Sequence, residues 1–302
     1  MKFFDSIKDL PPRHKDPATQ KGNVDKLYYK TKGIREEEYE KYCFVYTPFG
    51  YDETKAYDIV YLLHGMEDVC DNCFYKGGFK DVGGEPTWKK YMMDCMIQQK
   101  ESRPFIVAAV EWYPDAGKFE TDRTIAFESM KNFPNELTKD IIPAVEAKYH
   151  GYSNFKTDPE SLIATRDHRA VLGWSAGSMT TWEIIRQKAE YFRFYNPESG
   201  GATFNGQRDD FAGNAAILAD SLREKGLSAK DLVIFMTTGD EDLAYEGMNG
   251  LAKELKNHKD LFVFDGDDPN CAYLVLPGAN HHTWFRRVYQ YNALLTFFPP
   301  EE

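Results

Sequence analysis

A chain of 302 residues with 42% hydrophobic and 28% charged residues has the make-up of an ordinary soluble globular protein. It has room for one large α/β domain or two small ones. Its formal net charge of −11 and pI near 5.2 disfavour nucleic acid and anionic lipid surfaces as partners, because an acidic surface repels phosphates. No apolar run approaches the ~18 residues of a membrane span, and Met1 to Lys26 lacks the apolar core of a signal peptide. As written, the chain reads as cytoplasmic, or as secreted if a leader once preceded it. The five cysteines are odd in number and scattered, which is not a disulfide framework. Cys70 and Cys73 form a lone CxxC with no second pair at ligand spacing, so they read as two loop thiols and no metal site is expected.

Residues 1–21 read as a tail or arm, and 22–302 as one domain. Val24 to Lys30 and Tyr39 to Thr47 are rich in Tyr, Phe and Val and predict strands. Asp58 to Leu63 is a buried strand running into His64-Gly65, and Trp88 to Gln99 is a helix. Pro104 to Val110 is another buried strand. Phe133 to Tyr149 is amphipathic, with Pro143 predicting a kink or break. Arg169 to Leu172 predicts a strand, and Ser178 to Phe192 carries Met179, Trp182, Ile185 and Ala189 at helical spacing. A Gly-rich loop follows Tyr195. Then come a helix near Ala215 to Lys225, a strand at Leu232 to Thr237 and a helix from near Leu243 through Lys256. The strand Tyr273 to Leu276 and a last helix ending at Phe298 complete the chain. Buried strands alternating with helices predict an α/β fold, a mostly parallel sheet with helices on both faces.

The chemistry centres on Gly173-Trp174-Ser175-Ala176-Gly177. This fits Gly-x-Ser-x-Gly, a nucleophile elbow on a strained turn between strand and helix. By composition alone the pattern arises in roughly one such chain in twenty. Here a buried-strand run precedes it and a helical pattern follows, as the elbow requires.

A serine hydroxyl needs a base, an acid to orient that base, and donors for the oxyanion. In α/β-hydrolases the chain order is Ser, acid, His. Of the seven histidines only His258, His281 and His282 follow Ser175, and His258 sits in a Lys/Asp-rich surface stretch. His281 and His282 lie in the loop after the last strand, behind the turn residues Pro277-Gly278. Asp240, Glu241 and Asp242 offer the acid, with the rest free to cap the next helix. The Ala176 N–H follows the nucleophile and is the first oxyanion donor. Met66, after His64-Gly65, is the candidate for the second. His64 reads as a structural loop histidine. Trp174 beside the nucleophile and Trp112 after a strand are candidate substrate-binding aromatics.

With these pieces in order, the chain resembles the feruloyl/acetylxylan carbohydrate esterases, which are esterase-D-like α/β-hydrolases. The resemblance runs from about Gly22 to Phe298. Tyr57 to Gly65 is similar to the family's Tyr-x-Val-x-Tyr-Leu-Leu-His-Gly strand, and Glu136 to Tyr149 to its Glu-Leu-x-x-Asp-Ile-Ile-Pro helix. Arg169 to Gly177 matches the strand and elbow. Thr238 to Tyr245 and Pro277 to Phe298 resemble the acid and histidine segments of rumen-type feruloyl esterases.

The resemblance implies Asp242 as the acid, fourth in Gly-x-x-Asp, with Asp240 in reserve. It implies His281 as the base, three residues after the glycine of Pro-Gly-x-x-His, with His282 in reserve. It further implies ester hydrolysis through an acyl-enzyme on acylated xylan or its oligosaccharides, with no metal or organic cofactor. The leading expectation is a feruloyl esterase. Acetylxylan esterase, a general carboxylesterase or acyltransferase, and a noncatalytic carbohydrate-binding relative are the alternatives.

The chain departs from the family at Met66-Glu67-Asp68-Val69-Cys70, where glycines and an acidic-tryptophan signature are usual, and at Ala176, where Met is common. The second oxyanion donor and one pocket wall hang on the first departure. Pocket depth depends on the loops Met66 to Gly84 and Gly200 to Gly213.

Overall fold

The computed structural model describes residues 3–78 and 84–300. Residues 79–83, part of the loop expected to influence pocket depth, lie outside the described residues.

The buried runs form the middle of a single eight-stranded sheet. Its strands are β1 (Asn23–Thr31), β2 (Tyr39–Thr47), β3 (Asp58–Leu63), β4 (Phe105–Val110), β5 (Arg169–Trp174), β6 (Phe194–Glu198), β7 (Val233–Glu241) and β8 (Cys271–Asn280). They lie in the order β1-β2-β4-β3-β5-β6-β7-β8. Only β1–β2 and β2–β4 pair antiparallel; every other pair is parallel. β3, β4 and β5 are buried along their whole length. That is why they read as continuous apolar runs and not as alternation.

Their side chains still alternate between two cores. Ile59, Tyr61, Leu63, Ile106 and Ala108 face one side, and Val60, Leu62, Phe105, Val107 and Ala109 face the other. The helices α1 (Trp88–Gln98) and α8 (Thr283–Phe297) cover the second side through Met92, Met96, Leu294 and Phe297. The first side is covered by α2 (Arg123–Glu136), α3 (Ile142–Lys148), α4 (Pro159–Ala164), α5 (Ala176–Lys188), α6 (Phe211–Glu224) and α7 (Tyr245–Leu255). Helices on both faces of a mostly parallel sheet are the architecture expected from the pattern.

The N-terminal arm and three elements that differ from expectation complete the fold. Residues 3–21 form an arm packed along α1 and α8. Leu10, His14 and Ala18 are buried, His14 sits edge-on to Tyr291, and Asn292 exchanges two 2.8 Å hydrogen bonds with the Lys8 backbone. β6 falls where a loop was expected after Tyr195, because Asn196, Pro197 and Glu198 disguise a fully buried strand. The helix expected from Phe133 begins ten residues earlier at Arg123. It passes Pro134, then takes a π turn at Leu137–Ile141 before α3. Pro143 has no N–H for the Lys139 carbonyl, so the regular ladder breaks there. Pro277-Gly278 lies within β8 and not beyond it.

Candidate active site

Ser175 lies between the end of β5 and the start of α5, with φ 57° and ψ −116°. A non-glycine residue in that region is strained, and the surroundings must hold it there. The Ser175 N–H donates to Glu198 O at 2.8 Å, tying the elbow to β6. Both flanking glycines are sterically required. A Cβ on Gly173 would collide with the Gly177 carbonyl, and one on Gly177 would sit 2.6 Å from His64 O and 2.9 Å from Leu63 O. Ala176 opens α5, where the first N–H groups have no intrahelical acceptor and point toward incoming charge.

The structure brings three of the expected side chains into one relay. Ser175 Oγ is 2.9 Å from His281 Nε2, and His281 Nδ1 is 2.7 Å from Asp242 Oδ1. A neutral imidazole meets both contacts only with its proton on Nδ1, donating to Asp242 and accepting from the serine hydroxyl. Asp242 is almost fully buried, while the His281 ring is 18% exposed. Asp242 also accepts from the Ala244 N–H at 2.8 Å, which fixes its carboxylate. β7 and β8 approach closely enough to join the two residues because Gly239 lies against the Ala279 carbonyl.

The reserve candidates have other partners. Asp240 Oδ1 accepts from the Gly278 N–H at 2.6 Å, bracing the ends of β7 and β8. His282 Nδ1 accepts from the Trp284 N–H at 3.1 Å, capping α8.

The two tryptophans do not line the cleft, so their expected substrate contact is corrected. Trp174 is buried and stacks on the His281 ring at 4.7 Å between centroids. Its indole also occupies the space a Cβ on Gly65 would need. Trp112 is fully buried, donates from Nε1 to His64 O at 3.0 Å and stacks on the His64 ring. Both hold the machinery in place from behind.

Four residues support the site in roles that the sequence did not show. Glu111 is fully buried and accepts from three donors around the Met66 loop: His64 Nε2 at 2.6 Å, Tyr113 N at 3.0 Å and Cys70 N at 3.2 Å. Tyr113 clamps the same loop, accepting from Glu67 N and donating to Met66 Sδ. Glu198 and Arg286 lie under the nucleophile. Burial pushes the Glu198 carboxyl up to about 7 despite the Arg286 charge and the Gln290 amide nearby. Arg286 donates to Leu63 O at 2.7 Å, bracing the strand that leads into the loop. A Glu directly after a buried apolar run was the one visible signal for Glu111.

Met66, Ser175, Ala176 and His281 open onto a cleft of about 520 Å³, walled by Phe127, Met179 and Leu243 and rimmed by Arg123, Arg208 and Glu246. An apolar hollow of about 280 Å³ between α2 and α5 adjoins it, sharing Phe127 and Met179. The apolar walls therefore come from α2, the nucleophile helix and Leu243 in the segment between β7 and α7.

All five cysteines are buried and unpaired, and burial raises the Cys70 and Cys73 thiols. Among the described residues, no group of three or more His, Cys, Asp or Glu is placed to hold a metal ion, and no helix is long and apolar enough to cross a membrane.

The chain is similar to known esterases in sequence and in fold. A family model described as "Putative esterase" matches residues 38–270. Endo-1,4-beta-xylanase Y of Acetivibrio thermocellus is 30% identical over 290 residues, covering 95% of this chain and 24% of that protein. The chain thus spans about a quarter of that relative's length. A solved structure of a protein designated FAE superposes with a TM-score of 0.82 at 28% identity, covering 99% of this chain and 96% of the other. A serine-to-alanine mutant of the feruloyl esterase module from Clostridium thermocellum, complexed with sinapinate, superposes at 0.77 and 27% identity, again covering 99% and 96%. The fold is that of the α/β-hydrolase esterases.

Proposed function

The chain belongs to the esterase family, and from that premise we propose that it is a feruloyl esterase, a serine hydrolase cleaving hydroxycinnamoyl esters from xylan. The observation that carries the reading is the Ser175–His281–Asp242 relay opening on a cleft walled by Phe127 and Met179. An aryl acyl group needs such an apolar slot beside the nucleophile. The similarity to a feruloyl esterase module complexed with sinapinate supports the same acyl class.

In this mechanism Ser175 Oγ attacks the ester carbonyl carbon while His281 Nε2 takes its proton. Asp242 holds the Nδ1 tautomer and stabilises the imidazolium. The carbonyl oxygen becomes an oxyanion bound by the Ala176 N–H, with the Met66 N–H as second donor. Each such donor contributes about 10²–10³ in rate. Collapse breaks the bond to the sugar oxygen, which leaves with the proton from His281. A water deprotonated by His281 then attacks the acyl-enzyme, and the free acid departs as Ser175 recovers its proton. Trp174 stacked on the His281 ring limits its tilt, so both proton transfers use one ring position.

Steady-state hydrolysis of methyl ferulate beside acetate release from acetylated xylan, with Ser175→Ala as control, tests the acyl class. Preference for methyl ferulate is expected. Acetate release alone moves the assignment to acetylxylan esterase and leaves the triad standing. Turnover by Ser175→Ala equal to that of the unsubstituted protein removes the triad.

A further inference from the structure

Two helices begin at one place next to the His281 loop, outside the substrate cleft. α8 starts at Thr283, two residues after His281, and α1 starts at Trp88. Thr87, at the N-cap of α1, gives its hydroxyl proton to Cys73 O at 2.6 Å and makes no capping bond. The leading N–H groups of α1 therefore have no side-chain acceptor, and both helix ends carry partial positive charge.

A pocket of about 200 Å³ lies between these ends, lined by Thr87, Trp88, Lys89, Thr283 and Arg286. Lys89 sets it apart. The residue is 6% exposed and its ammonium lies 5.1 Å from the centroid of the Trp88 ring, and among the described residues it forms no ion pair with a carboxylate. Arg286 is 2% exposed; it spends Nη2 on Leu63 O, while its Nε is buried without a hydrogen bond. Burial, reinforced by the Arg286 charge, lowers the proton affinity of Lys89. Buried cations of this kind are normally paired.

The opposing charges leave Lys89 without a direct ion pair. Asp68 is the carboxylate on the pocket wall, and it accepts from its neighbours Val69 N and Asn72 Nδ2 at 3.0 Å and forms no ion pair with Lys89. Glu198 is spent on Arg286, with 3.7 Å between its carboxylate and Arg286 Nε, and does not reach Lys89. Lys76 stands at the exposed rim, ion-paired with Glu85.

We propose that this pocket binds a small oxyanion, with Lys89 and Arg286 as its cationic walls and the uncapped start of α1 and the Thr283 hydroxyl supplying donors. Phosphate-type and carboxylate ions share the required chemistry: compact negative charge with several acceptor oxygens. The site is separate from the Ser175 cleft and does not depend on the ester that is cleaved there.

The test is thermal unfolding of the full chain in potassium phosphate and in potassium acetate, each against potassium chloride at matched ionic strength and pH, with isothermal titration as the direct readout. The unsubstituted protein is expected to show a Tm that climbs with phosphate or acetate concentration, as ligand linkage requires. The anion that produces the climb identifies the source. Lys89→Met is expected to melt no lower than the unsubstituted protein in chloride, because it removes an unpaired buried charge. It should lose the anion-dependent climb and bind at least tenfold more weakly. Lys89→Gln, polar and of similar reach, carries the same expectation should the methionine variant fail to fold. No climb with either anion in the unsubstituted protein overturns the proposal, and so does an equal climb in protein and variants.

Discussion

Glu111→Gln asks whether the oxyanion loop is held from behind as the structure indicates. The Glu111 carboxylate accepts from His64 Nε2 and Tyr113 N at one oxygen and from Cys70 N at the other, in a site closed to solvent. A glutamine amide has only one acceptor oxygen. Either Cys70 N or the His64–Tyr113 pair then faces an NH₂ group. An orphaned buried donor costs about 1–3 kcal/mol. Losing the charged partner of a buried pair costs up to about 3–5 kcal/mol when nothing replaces it. The isosteric amide retains part of that, so a total of about 2–5 kcal/mol is expected. In a chain of this size that corresponds to a Tm fall of roughly 4–10 °C. The His64–Glu67 loop then loses its anchor and Met66 N drifts from the oxyanion position, lowering kcat by about 10²-fold, with KM within about twofold. Calorimetry and steady-state kinetics on methyl ferulate, run well below the variant's Tm, measure both. A kcat within twofold of the unsubstituted value refutes the reasoning, even if Tm falls, because the pair would then support the fold and not the loop.

Further outcomes follow from the same geometry. Asp242→Asn leaves the shape intact but turns a donor toward His281 Nδ1, so kcat on methyl ferulate should drop by about 10⁴ with little change in melting. His281→Ala should abolish turnover. His282→Ala should keep it and lose only a helix cap, about 1 kcal/mol by thermal melting. Gly177→Ala places a methyl 2.6 Å from the His64 carbonyl, which is backbone and cannot swing aside. A stability loss of about 1–3 kcal/mol and a fall in kcat are expected. Glu198, raised to about 7 from a usual 4.5, holds its proton in the fold over a range where the unfolded chain has released it. Stability therefore falls as pH rises from about 4.5 to 7, by at most about 3 kcal/mol from this group. Glu198→Gln should flatten that slope, and a Tm profile parallel to the unsubstituted protein's would contradict the assignment.

The fold was legible where burial is two-sided. Ile59 to Leu63 and Phe105 to Val110 have no polar face, so they read as sheet interior from composition alone. β6 was hidden because Glu198 belongs to a buried polar cluster with Arg286 and Gln290 that no local periodicity encodes. α2 was hidden by Pro134, which normally argues against a helix interior. The relay was legible because chain order leaves few histidines and carboxylates, and the resemblance to the family's Gly-x-x-Asp and Pro-Gly-x-x-His chooses among them. What supports the relay was not. Glu111, Tyr113 and Arg286 meet the loop only through tertiary packing, and the tryptophans that looked like an aryl platform turned out to brace His281 and His64. Aromatic content alone does not tell a cleft from a core.

The central claim is that Ser175 is the nucleophile of an esterase. Labelling the full chain with a fluorophosphonate and locating the adduct by peptide mass spectrometry tests it most directly. The account predicts a single stoichiometric adduct on Ser175, formed at a rate that collapses in His281→Ala and absent in Ser175→Ala. An adduct on another residue, or labelling that persists in Ser175→Ala, would contradict it.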